Sequence, residues 1–126
     1  MVWPMERVFT HAEATALLPE LTRLLTALRD VHRASLEHAA DLDAHPVTSN
    51  GSASAAMRAS GPFHEAQRLT ADIDGLGVIL RDPETGLVDF ASVREGAPVY
   101  LCWRLGEARI GYWHSRDTGF MGRLPL

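Results

Sequence analysis

The sequence contains a single cysteine, Cys102, and lacks any long apolar run. One cysteine excludes an internal disulfide and a zinc cluster built from several cysteines of the same chain. No apolar stretch approaches the roughly 20 residues that a membrane-spanning helix needs. The first 14 residues also lack the apolar segment of a secretory signal. These absences favour a cytoplasmic protein, and we expect no membrane association.

A surplus of basic residues is absent as well. The chain has 12 Lys and Arg against 16 Asp and Glu, which gives a net charge of −4. Nucleic-acid-binding proteins usually carry the opposite excess, so nucleic acid is a disfavoured partner. The sequence also lacks a phosphate-binding loop, a dinucleotide fingerprint and a Ser-His-Asp spacing. It therefore assigns no reaction, and a non-catalytic role is favoured over an enzymatic one.

The 126 residues, 46% of them hydrophobic, predict one domain with a substantial core. Residues 10–44 are predicted as a first helix, because Thr10 and Glu13 form a capping box and leucines then recur every three or four positions. Pro19 predicts either a kink or a short first helix followed by a second. Residues 45–54 are predicted as a loop and 55–76 as the second helix, although Gly61 and Pro62 leave its start open.

From residue 77 to 115 the period of the apolar residues changes to two, which predicts a small antiparallel sheet of three to four strands. Residues 116–126 are predicted as a tail, with loop structure over 119–126. The last hairpin has two possible registers: an even loop places His114 with Leu101, and an odd loop places it with Cys102. The predicted strands are residues 78–80, 87–90, 99–105 and 109–114.

The predicted fold class is therefore α+β, a long antiparallel helical hairpin followed by a small antiparallel sheet. A lone pair of helices about 45 Å long leaves apolar surface in water. We expect that surface to pair with a second copy in a homodimer that resembles a coiled coil or four-helix bundle.

The C-terminal block is the most distinctive part of the sequence. It reads LCWRLGE over residues 101–107, IGYWH over 110–114 and GFxGR over 119–123. Together with FTxxEA at 9–14 and GLVDF at 86–90, it resembles domain-of-unknown-function family 2203, an uncharacterised bacterial and archaeal family. The resemblance covers nearly the whole chain and implies no established activity.

Three residues of the β unit are metal-ligand candidates: His114, Glu107 and Asp89. A histidine with two carboxylates can hold a divalent metal such as zinc, and an open coordination position would suit a small hydrolase. The favoured alternative is purely structural. In that interpretation Glu107 pairs with Arg104 or Arg123, Asp89 caps a turn, and His114 ends a strand with its hydrogen bond satisfied.

Aromatic and basic residues near the C-terminus form a second candidate site. Arginine forks and glycine-flanked backbone bind phosphate or carboxylate, which predicts a small anionic ligand. An ordinary turn whose arginines pair with carboxylates is the favoured alternative. The residues proposed for ligand binding are Arg104, Trp103, Trp113 and Arg123, with Arg109 and Arg116 nearby.

The remaining candidates are weaker. His38 and His64 could meet at the far end of the hairpin and bind a metal, although solvated histidines are favoured there. Cys102 on its strand is interpreted as a small buried hydrophobe rather than a nucleophile.

These patterns lead to one principal hypothesis and two alternatives. The principal hypothesis is a non-catalytic homodimeric module that uses its C-terminal β unit to recognise a partner protein or small ligand. The first alternative is a metal-binding protein or metal-dependent hydrolase. The second is the binding of nucleic acid or an anionic ligand through the arginines of the tail.

Overall fold

The computed structural model describes residues 7–44 and 61–126, with side chains described for 7–37 and 61–126. Within these ranges three α-helices precede an antiparallel sheet, so the α+β class predicted from the sequence is confirmed. The helices are α1 (His11–Ala16), α2 (Leu18–Ala44) and α3 (Gly61–Gly75). The strands are β1 (Ile79–Asp82), β2 (Leu87–Arg94), β3 (Ala97–Arg104), β4 (Tyr112–Ser115) and β5 (Leu124–Pro125).

The first predicted helix is divided in two. The predicted capping box is present: the Thr10 hydroxyl accepts from the Glu13 backbone N–H at 3.0 Å, and the Glu13 carboxylate accepts from the Thr10 N–H at 2.8 Å. The helix that it starts ends at Ala16, and Pro19 lies in the first turn of α2. A missing N–H costs nothing in a first turn, so the short-helix alternative is the one adopted.

α2 and α3 contact each other and supply most of the helical half of the core. The side chains that they bury are Leu21, Leu24, Leu25 and Leu28 from α2, and Leu69 and Ile73 from α3. The described part of α3 begins at Gly61, and residues 55–60 of the predicted second helix lie outside the described residues. In the described ranges, no helix is both long and apolar enough to cross a membrane.

In the part of the chain that the structure describes, the sheet has five strands in the order β1-β2-β3-β4-β5, where three to four were predicted. The additional strand is β5, which lies in the segment that was predicted to be a loop. It pairs with β4. A two-residue strand that contains Pro125 gives no alternating pattern. Proline is tolerated there because β5 lies at the edge of the sheet.

β2 and β3 are longer than predicted, because they are joined by a two-residue turn that the prediction did not use. Glu95 and Gly96 both have positive φ, 51° and 78°. Two consecutive positive φ values are typical of the hairpin turn that matches the twist of the flanking strands. The ladder therefore runs to the pair Arg94 and Ala97.

The register of β3 and β4 determines which residues share a face. Tyr100 pairs with His114 and Leu101 pairs with Trp113, so His114 lies on the same face as Cys102. The connection over residues 105–111 has an odd number of residues, in agreement with the odd-loop alternative. The helix-facing side of the sheet contributes Val88, Phe90, Leu101 and Trp103 to the core. We call the opposite side the second face.

Candidate metal centre

Three residues whose side chains can bind a metal are buried side by side on the second face, one from each central strand. Asp89 on β2 is 2% exposed, Cys102 on β3 is 1% exposed, and His114 on β4 is 2% exposed. Asp89 pairs directly with Cys102 across the ladder, and His114 pairs with Tyr100, two residues before Cys102. One ligand atom from each of the three lies within 4.8 Å of the others. We call these residues the buried trio.

The imidazole of His114 has a hydrogen-bond acceptor at both ring nitrogens. Nδ1 lies 2.8 Å from the carbonyl oxygen of Ser115, and Nε2 lies 3.0 Å from Oδ1 of Asp89. A carbonyl only accepts, so Nδ1 carries a hydrogen. A neutral imidazole then presents a bare lone pair at Nε2 to the carboxylate. That contact needs a proton or a metal ion between the two atoms.

The other oxygen of Asp89 has a partner that holds the carboxylate in place. Oδ2 accepts from Nε of Arg81 at 2.9 Å, and the Arg81 guanidinium lies 5.1 Å from the centroid of the Tyr100 ring. The hydrogen bond to Asp89, together with its charge, outweighs burial and raises the pKa of Arg81. Arg81 is therefore a permanent cation, and it leaves Oδ1 of Asp89 directed at His114.

The Cys102 thiol is held in its protonated form. Burial is the main cause, and the nearby charge of Asp89 adds to it; together they raise the pKa of Cys102 to about 11. Arg123 approaches the sulfur at 4.0 Å and offsets only part of this effect. Roughly one thiol in ten thousand is then ionised at pH 7 unless a cation is supplied. The thiol is thus a poor nucleophile, in keeping with its interpretation as a buried hydrophobe.

A cavity of about 390 Å³ opens over the buried trio. Its volume is in the lower part of the range of small-molecule sites. One wall is the second face of the sheet and the other is the segment 116–120. Arg116 donates to the Tyr100 hydroxyl at 3.0 Å and lies over that ring at 4.3 Å. The lining residues are Arg81, Leu87, Asp89, Cys102, His114, Arg116, Asp117, Thr118, Gly119 and Phe120.

Glu107 does not join the buried trio but fastens the tail across the second face. Its carboxylate accepts from both terminal nitrogens of Arg123, at 3.1 and 2.7 Å, and from the Arg104 backbone N–H at 2.8 Å. Arg123 also lies over the rings of Tyr112 and Phe120, at 3.9 and 4.3 Å. We call the Glu107–Arg123 pair the tail latch. It is one of the two pairings that the structural interpretation of the sequence named for Glu107.

Opposing effects act on the pKa of Glu107. Burial raises it, but hydrogen bonds from Arg123 and from the Arg104 backbone, with the charges of both arginines, leave it below its usual value of 4.5. The carboxylate is therefore ionised at neutral pH and fully engaged by the latch. Among the described residues, the three that gather as potential metal ligands are Asp89, Cys102 and His114.

The four residues predicted to bind a ligand do not share one surface. Trp103 is buried in the core and donates from Nε1 to the Glu107 carbonyl at 3.1 Å. Trp113 packs against the same core, with the Arg94 guanidinium 5.0 Å from its ring centroid. Arg104 instead lies on the second face, where its guanidinium is 5.3 Å from the centroid of the Phe120 ring.

Of the two helical histidines considered as metal ligands, His64 does not join the buried trio. His64 is exposed near the start of α3, where its ring lies 6.1 Å from that of Phe63. The side chain of His38 lies outside the described residues, so a meeting of the two histidines stays a prediction.

Sequence reasoning identified Asp89 and His114 but not Cys102 as their companion. The missing information was the hairpin register, since the odd loop alone brings His114 to the cysteine face. Arg81 was also missed, because its role follows only from the pairing of β1 with β2, in which Ile79 lies opposite Asp89.

The family model for the uncharacterised conserved protein family DUF2203 matches residues 7–126, and the chain belongs to that family. No curated protein and no solved structure matches the chain.

Proposed function

We propose that this member of the DUF2203 family is a metal-binding module and that the buried trio holds a divalent transition metal. The observation that carries the proposal is the His114 ring. Its Nδ1–H is fixed by the Ser115 carbonyl, and its Nε2 is aimed at Oδ1 of Asp89 beside a buried thiol. Histidine ligands of metals characteristically donate their other N–H to a carbonyl or carboxylate in this way.

The distances between the ligand atoms suit a small tetrahedral ion. Nitrogen and oxygen ligands lie about 2.0–2.1 Å from zinc, so two of them at a tetrahedral angle are about 3.3 Å apart. Nε2 of His114 and Oδ1 of Asp89 are 3.0 Å apart. A slight opening of that pair admits the ion, and Cys102 supplies the third ligand atom.

The chemistry of the three ligand atoms narrows the choice of ion. A thiolate, an imidazole and a carboxylate together favour zinc or a similar borderline ion over magnesium or calcium, which prefer oxygen ligands. A bound dication would also stabilise the Cys102 thiolate, which the apo site disfavours. Arg81 would serve as an outer partner that orients Asp89. A cytoplasmic location, where thiols stay reduced, fits this ligand set.

Cobalt loading tests the proposed ligand set, which contains Cys102 in place of the Glu107 that was predicted from the sequence. Purified protein stripped of metal is reloaded with Co²⁺, and its visible and near-ultraviolet absorption is recorded. We expect one ion per chain and a thiolate-to-cobalt charge-transfer band. Cys102→Ser, which changes a single atom, is expected to abolish that band and weaken binding at least about a hundredfold.

Glu107→Gln is the matched control, because it neutralises the carboxylate of the original prediction without touching the buried trio. We expect it to retain the band and the stoichiometry of the wild type. A wild-type protein that binds neither Co²⁺ nor Zn²⁺ in competition with a weak chelator would refute the proposal. Loss of metal binding in Glu107→Gln, with binding intact in Cys102→Ser, would instead support the ligand set predicted from the sequence.

We also propose that α2 and α3 form an antiparallel hairpin that pairs with a second copy. The support is apolar surface near the end of the hairpin: Leu36 on α2 is 54% exposed and Phe63 on α3 is 38% exposed. Light scattering at micromolar concentration tests this, and a monomer mass would contradict it.

A further inference from the structure

The cavity over the buried trio is lined by charged groups of both signs. Among the described residues that line it, the guanidinium groups of Arg81 and Arg116 are matched by the carboxylates of Asp89 and Asp117. A divalent ion held by the buried trio would lie at the wall of this cavity. The ion would attract an anion there, in a partly enclosed space where screening by solvent is weak.

The buried trio supplies three ligand atoms, and its three residues line the cavity wall. A metal held by three protein ligands keeps a fourth position for water or a small ligand. Arg116 lies on the same cavity, positioned by the Tyr100 hydroxyl and ring. Its guanidinium carries donors in a planar fork that matches an oxyanion.

We infer that the metal-loaded cavity binds a small oxyanion, a phosphate or a carboxylate, with one oxygen at the fourth metal position and the others near Arg116. The inference rests on the proposed metal site. Asp117, on the same wall, opposes the anion and sets the strength of binding. The anion binds only after metal has been loaded, because one of its oxygens occupies the fourth coordination position.

The test uses full-length protein loaded with one Co²⁺ per chain, and each titration is followed by the cobalt absorption spectrum. Inorganic phosphate and acetate are titrated separately, and the arm that saturates identifies the oxyanion class. We expect a saturable spectral shift with at least one of them. Isothermal titration of the metal-free protein with the same anion is expected to give no binding.

Two variants are expected to change anion affinity in opposite directions, and a third is the control. Arg116→Gln is expected to weaken anion binding about tenfold, because it removes a charge-assisted fork. Asp117→Asn is expected to strengthen binding, since it removes the opposing carboxylate. Arg109→Gln is the matched control and should change nothing, because Arg109 is exposed and lies outside the described lining of this cavity. All three should bind Co²⁺ like the wild type.

The outcomes separate the two proposals. Intact Co²⁺ binding with no response to either anion would overturn the oxyanion inference and leave the metal site standing. Equal anion affinity in loaded and metal-free protein would also overturn it, because the inference places one anion oxygen on the ion. Failure to bind Co²⁺ at all would overturn both.

Discussion

The tail latch offers a quantitative test of how the C-terminal segment is held over the second face. The perturbation is a double-mutant cycle with Glu107→Gln, Arg123→Gln and the double variant. The two side chains are 19% and 14% exposed and share two hydrogen bonds. A hydrogen bond to a charged group contributes about 1.5–3 kcal/mol in a buried site. The two bonds share one ion pair that solvent partly screens, so we expect a total coupling free energy of about 2 kcal/mol at pH 7.

The pH dependence of this coupling has a definite sign. The folded-state pKa of Glu107 is below 4.5, so its ionised form is favoured by folding. The stabilisation is therefore fully present above about pH 4.5 and is lost as the pH falls through the lower, folded-state value. Urea unfolding of the four proteins at pH 7, pH 5 and pH 3.5 measures the coupling across this window.

The exposed pair Glu20–Arg23 on α2 is the control, with side chains 45% and 66% exposed. We expect no measurable coupling there, since water screens exposed pairs. A coupling at the tail latch no larger than that of the control would refute the reasoning. A latch coupling that grows as the pH falls would refute it as well.

Two further predictions follow from particular contacts. Burial raises the pKa of Cys102 to about 11. Metal-free protein should therefore react slowly with a thiol-specific disulfide reagent at pH 7, and faster as the pH rises toward 10. Rapid reaction at pH 7 would contradict a buried, protonated thiol. Gly122→Ala should destabilise the fold by about 1–3 kcal/mol, because the added Cβ would lie 2.8 Å from Cβ of Thr118. Gly119→Ala is the control and should be neutral, because its Cβ would meet nothing within 4 Å. Equal melting temperatures for the two variants would contradict this prediction.

The local features of the fold were predictable from the sequence because they depend on neighbouring residues. The capping box of Thr10 and Glu13 and the change of period near residue 77 fall in this group. The fifth strand was not predictable, because β5 is only two residues long and is defined by its pairing with Tyr112 and Trp113. Pairing at that distance along the chain leaves no local signal.

The candidate site was only partly predictable, because its composition also depends on pairing between strands that are distant in the sequence. Asp89 and His114 stood out by residue type, but Cys102 joined them only through the register of the last hairpin. Glu107 had the right chemistry, but its proximity to Arg123 depends on the tail folding back over the sheet. The connection between β3 and β4 sets the strand register, and that register therefore determines which residues form the site.

The most direct test of the account is X-ray absorption at the zinc edge of protein loaded with one Zn²⁺ per chain. The buried trio predicts one sulfur at about 2.3 Å, with nitrogen or oxygen ligands at about 2.0–2.2 Å. Loss of the sulfur contribution in Cys102→Ser, and its retention in Glu107→Gln, would complete the assignment. A spectrum with no sulfur ligand in the wild type would contradict it.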